Sequence, residues 1–173
     1  PSQIMEHWTW EPDVLARFAR HYQSGEQIPQ EMVGQLVAAR DVNIAAASLR
    51  QAYFGILDLL LHDDAEKRDL DALDREAYEV NELPFPEGTF FLASFGHVMG
   101  GYDAGYYGYL WSKVFGDDMY SRFQSEGILN PSVGRAYRSV ILEQGGSKDA
   151  DTLLLEFLGR PPSNEAFLAN LGL

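Results

Sequence analysis

The chain has no cysteine in its 173 residues. That rules out a disulfide frame, a thiol nucleophile and any cysteine metal site, and it fits a reducing compartment, so a cytoplasmic location is expected. Basic residues are few, with 13 Lys and Arg against 26 Asp and Glu and a formal net charge of −13. Phosphate backbones are bound by clustered Lys and Arg, which argues against a nucleic-acid partner. The same deficit argues against an anionic membrane surface. Histidine is scarce too: His7, His21, His62 and His97 include no i, i+4 pair, and no His-Glu-x-x-His occurs. The sequence therefore offers no recognisable metal site of its own. A basic start followed by an apolar run is also missing, so no signal peptide is read. The chain opens on Pro1 without an initiator methionine, which leads us to expect a fragment or a processed chain. The longest apolar stretch, Ile44 to Leu61, is interrupted by Ser48, Arg50, Gln51 and Asp58. It reads as a buried helix, not as a membrane span.

What is present suits a globular domain with a real core: 46% hydrophobic and 13% aromatic residues. Apolar periodicity is helical almost throughout, so the expected class is all-α, with 1–173 as a single helical region. Pro12 suits the first turn of a helix through Tyr22, and Pro29 that of another. A long helix is expected from Asp41 to His62, a charged solvated break from Asp63 to Asp69, and a helix from Leu70 to Leu83. Asp117 is expected to cap a helix ending near Gln124. Asn130-Pro131 opens a helix to Leu142, Ser147 or Asp149 caps one through Leu158, and a short last helix ends at Gly172.

The segment Phe95 to Tyr109 stands out, with one His, four Tyr and five Gly in fifteen residues. Each Gly costs a helix roughly 1 kcal/mol relative to Ala, so a routine core helix is not written this way. If Asp103 to Val114 is helical, Tyr106 and Tyr109 share a face, with Tyr102 one turn before, while Tyr107 points to the core. A Gly-rich loop bearing an imidazole and phenols could close on a polar ligand and aim donors at one oxygen, as at an oxyanion. An aromatic helix packed against a Gly-rich crossing fits the pattern equally well. His62 suits a helix C-terminus, His21 the surface, and His7 packing beside Trp8. Most carboxylates fall in solvated runs such as Asp63-Asp64-Ala65-Glu66, and no pair stands out as general acid and base. Serine occurs without a nucleophile elbow, and Gly145-Gly146-Ser147 ends a helix and is no phosphate loop.

Phe95-Gly-His-Val-Met-Gly-Gly-Tyr-Asp-Ala-Gly-Tyr-Tyr-Gly-Tyr-Leu-Trp-Ser112 closely resembles the M3 family of zinc oligopeptidases, the thimet oligopeptidase and neurolysin group. Pro1-Ser-Gln, Trp10-Glu-Pro12, Arg20-His-Tyr-Gln-Ser-Gly25, Glu126-Gly-Ile-Leu-Asn130, Tyr137-Arg-Ser139, Gly145-Gly-Ser147 and Phe157-Leu-Gly-Arg160 extend the resemblance in order along the chain. It implies a mostly helical fold beside a deep channel and a zinc enzyme that cleaves short peptides. It also implies that the zinc ligands (two His of His-Glu-x-x-His and a later Glu) lie upstream of Pro1. This chain would then be a C-terminal part with no metal residues, binding no zinc alone and inactive alone, whose partner is the upstream His-Glu-x-x-His portion. By the same resemblance His97 and Tyr102 contact substrate, Tyr106 and Tyr109 bind it and stabilise the oxyanion, and Gly100, Gly101 and Gly105 let the loop move. Val98-Met99 departs from the Leu-Ala common in such loops. The alternative is a non-catalytic helical peptide-binding or scaffold module derived from the family.

Overall fold

A computed structural model describes residues 1–63 and 69–173. Of the break expected from Asp63 to Asp69, residues 64–68 lie outside the described residues. The class is all-α: among the described residues there is no strand, only an isolated antiparallel bridge between Arg20 and Gln27. The chain divides into two compact units, Pro1–Val42 with Ser112–Leu173, and Asn43–Trp111.

In the first unit, helices α1 (Ser2–Glu6), α2 (Pro12–Phe18) and α3 (Gln30–Asp41) precede the main part of α6 (Gly108–Glu126), α7 (Pro131–Tyr137), α8 (Ala150–Leu158) and α9 (Glu165–Asn170). Pro12 and Pro131 sit in the first turns, where a missing N–H costs nothing, and the Asn130 side chain caps α7 by accepting from Ser132 N. Helix α2 stops at Phe18 and does not reach Tyr22: Ala19 turns extended, and Ile28 N donates back to Ala19 O. Beyond Tyr137 the expected helix continues as one π-type turn, Arg138–Leu142. Ile4, Met119, Tyr120, Phe123, Val133, Tyr137, Leu154 and Phe157 form the core. Each large apolar side chain so buried contributes about 1.5–3 kcal/mol.

Asp117 does not cap a helix. It lies inside one continuous α6, fully buried. The glycine before it is a point of contact: a Cβ on Gly116 would meet Ile4 N at 3.4 Å, so a bare backbone lets α1 approach there.

In the second unit, α4 (Ile44–Leu61) packs on α5 (Leu70–Tyr78) and the 3₁₀ turn that follows, Glu79–Asn81. The expected start of α4 at Asp41 is wrong, because Asn43 adopts a left-handed conformation (φ 78°) that no helix continues through, and α4 opens after it. Glu82 (φ 53°) likewise ends the α5 segment before Leu83. By length and composition α4 could reach across a membrane. It is buried on one face only, through Tyr53, Phe54, Gly55, Leu57 and Asp58, with Leu49, Ile56 and Leu59 exposed. The Thr89–Phe95 segment folds into a 3₁₀ turn, Phe91–Ser94. Phe91 stacks on Phe54 at 4.7 Å, and buried Phe95 closes the core beside Leu57 and Ala77.

Candidate functional site

The Gly-Tyr segment leaves this second core at Phe95. One 3₁₀ turn, Gly96–Met99, carries His97 outward. The chain then reverses at Gly101, whose φ of 82° suits a residue without a Cβ. Helix α6 begins only at Gly108, not at Asp103. Tyr102 and Tyr106 therefore sit on loop, and Tyr109 in the first helical turn.

The loop nonetheless gathers these rings. The His97 ring lies 5.6 Å from that of Tyr102, 4.9 Å from Tyr106 and 5.6 Å from Tyr109, and the Tyr106 and Tyr109 rings are 4.9 Å apart. His97 Nε2 is 3.0 Å from the Tyr109 hydroxyl. Tyr102 and Tyr109 are exposed, while His97 and Tyr106 are half-buried. Gly100 closes the Gly96–Met99 turn. Tyr107, expected in the core, is instead half exposed, edge-on to Trp111.

Two partners of the cluster escaped sequence reading, and both lie on α4. Tyr106 donates its hydroxyl proton to Gln51 Oε1 at 3.0 Å. Burial, then the neighbouring Tyr109 phenol, pushes the Tyr106 hydroxyl above the ordinary phenol value, so it stays neutral and protonated. Asp58 is fully buried and accepts from Ala104 N at 3.0 Å through Oδ1 and from Tyr106 N at 2.9 Å through Oδ2. Those contacts span 46 and 48 residues, which no local pattern reveals. The one available signal was an acidic residue on the otherwise apolar face of α4. His62, at the helix end as expected, donates from Nδ1 to Asp58 O at 2.7 Å.

The other histidines lie elsewhere. His7 stacks on Tyr120 at 4.2 Å and bonds Asp117 at 2.8 Å, and His21 is exposed, accepting from Ser24 N. A cavity of about 440 Å³ in the second unit is lined by Arg50, Tyr53, Asp74, Phe85 and Phe91, but not by His97 or the loop tyrosines. Among the described residues no three His, Asp or Glu side chains converge so as to hold a metal ion. What the cluster offers is neutral phenols and an imidazole, able to donate hydrogen bonds to a carbonyl or carboxylate oxygen.

An all-α scaffold with an imidazole and three phenols displayed between a loop and a helix start is the class that the fold and the site define. Comparison with known proteins then gives the family. The model of Peptidase family M3 matches residues 1–173, and the chain belongs to that family. It is 42% identical to Oligopeptidase A of Haemophilus influenzae, 39% identical to Oligopeptidase A of Salmonella typhimurium and 40% identical to saccharolysin of Saccharomyces cerevisiae. Each match covers all of this chain but 26%, 26% and 25% of those relatives. The chain spans about a quarter of their length.

Proposed function

We propose that the whole protein is a zinc metallo-oligopeptidase that hydrolyses short peptides, and that this chain supplies one wall of its active site. The zinc site and the general base belong, on this reading, to the portion upstream of Pro1. A cytoplasmic location is part of the proposal. So is the inactivity of this chain alone, which a peptidase assay on the isolated chain tests.

The observation that carries the reading is the 3.0 Å contact between His97 Nε2 and the Tyr109 hydroxyl. A phenol next to an imidazole can be directed. When Nε2 carries the proton it donates to the Tyr109 oxygen, and the phenol O–H is left free to point at a substrate. When Nε2 is bare, the phenol donates into the ring and is spent. The first tautomer makes Tyr109 a donor to the carbonyl oxygen of the scissile bond, where negative charge develops on attack. Tyr106 commits its proton to Gln51, so it meets substrate with its ring and its oxygen lone pair. Tyr102, exposed on the loop, and His97 complete the wall, with Gly100 and Gly101 shaping the turn between them.

Replacing Tyr109 by Phe in the full-length peptidase should lower kcat on the order of 10²-fold with a smaller change in KM, as loss of one oxyanion donor does. An unchanged kcat would remove Tyr109 from the chemistry.

A further inference from the structure

We propose that Gln51, Phe54, Gly55 and Asp58 of α4 form a template that sets the active-site loop, with Gln51 and Asp58 as positioning residues for Tyr106. The proposal rests on the functional reading above. These four positions follow i, i+3, i+4 and i+7, one stripe along a helix. Every one of them meets the loop. Gln51 accepts the Tyr106 hydroxyl, and Phe54 packs edge-on against the Tyr106 ring at 5.4 Å. Gly55 admits the Tyr107 backbone: a Cβ there would lie 3.4 Å from Tyr107 Cα. Asp58 holds two successive features of the loop, the N–H groups of Ala104 and Tyr106.

Two facts show that the loop is imposed and not merely tolerated. Ala104 has a φ of 56°, a left-handed conformation that an alanine keeps only when its surroundings over-determine it. The group doing so is a carboxylate with no exposed surface, and a buried charge is retained where its hydrogen bonds satisfy it. Tyr106 is thus fixed at both ends, backbone by Asp58 and hydroxyl by Gln51, three residues before Tyr109.

The test uses full-length peptidase and a short peptide substrate. Gln51→Met should lower kcat/KM roughly 10-fold by leaving the Tyr106 hydroxyl without its acceptor, since small misplacements near the chemistry have large effects. Gln51→Glu keeps an acceptor and should restore near-normal kcat/KM. On a Tyr106→Phe background Gln51→Met should cost no more than about twofold further, the limit of additivity error. Asp58→Asn keeps a single acceptor, so it should lower kcat/KM roughly 10- to 100-fold below its unfolding temperature and free one of the Ala104 and Tyr106 amides to exchange with solvent. Losses that add fully, or a Gln51→Glu variant as poor as Gln51→Met, overturn the template. If Asp58→Asn does not fold, unprotected Ala104 and Tyr106 amides in the wild type overturn it instead. The two readings fail separately. Tyr106→Phe and Tyr109→Phe variants with unchanged kcat/KM sink the functional reading, whereas large losses in both beside an unchanged Gln51→Met variant sink the template alone.

Discussion

The two units bury aspartates in different ways. In the first unit, Asp117 meets His7, Lys113 and Asn170, and Asp118 meets both Arg160 nitrogens and Ser163 N. Each is a charge met by a Lys or Arg cation, an ionic staple within the core. In the second unit, Asp58 accepts from two backbone amides, with the His62 ring 3.3 Å from its Oδ1, and Asp74 accepts from the Tyr53 phenol. There a negative charge is used to fix neutral donors. Cationic staples lock helices whose packing already defines them. Neutral donors let a carboxylate define a segment, a Gly-rich loop, that has almost no packing of its own.

Breaking the strongest staple should have the largest effect. Asp118→Ala leaves Ser163 N without an acceptor and Arg160 without its fork partner, and should cost about 3 kcal/mol of stability in urea unfolding of the chain. Arg160 is partly exposed, which keeps the figure from running higher. A loss under about 1 kcal/mol would place this contact with ordinary surface pairs and erase half of the contrast. In the second unit, Tyr53→Phe removes the donor from buried Asp74 and should cost about 2 kcal/mol. Burial and the Asp74 contact raise the Tyr53 hydroxyl well above the ordinary phenol value, so the wild-type phenol stays protonated through alkaline pH. A spectrophotometric titration that shows every tyrosine ionising near pH 10 contradicts that.

Where the sequence was readable, the reason was local. Helical period, Pro12, and the Asn130-Pro131 cap-and-start placed elements because their physics acts within a turn. The Gly-Tyr segment stood out by composition, and the rings of His97, Tyr102, Tyr106 and Tyr109 do lie together. Misreadings came where remote groups decide. Gly116 carries no local signal of its close approach to Ile4, 112 positions earlier in number. Asp117 looked like a cap and is the partner of His7. Tyr107 looked like core, yet its backbone meets Gly55 while its half-exposed ring lies edge-on to Trp111. Asp58 carried no signal beyond being an acid on an apolar face, because its partners lie more than forty residues on.

The smallest effect sharpens the contrast through pH. Burial opposes ionisation of Asp117, but His7, Asn170 and Lys113 outweigh it and hold the carboxyl below the ordinary range. A carboxyl lowered in the folded state contributes stability that is present above its unfolded pKa, about 3.9, and is lost as pH falls through the folded value. Asp117→Asn should therefore cost about 1 kcal/mol near pH 5, since the amide keeps one acceptor, and progressively less on acidification. The measurement is the unfolding midpoint of both proteins from about pH 5 to pH 2. A gap that stays constant over that range would mean that His7 and Lys113 add no charge-dependent stability. Asp117 would then resemble the hydrogen-bonded aspartates of the second unit, and the distinction between staple and template would collapse at that residue.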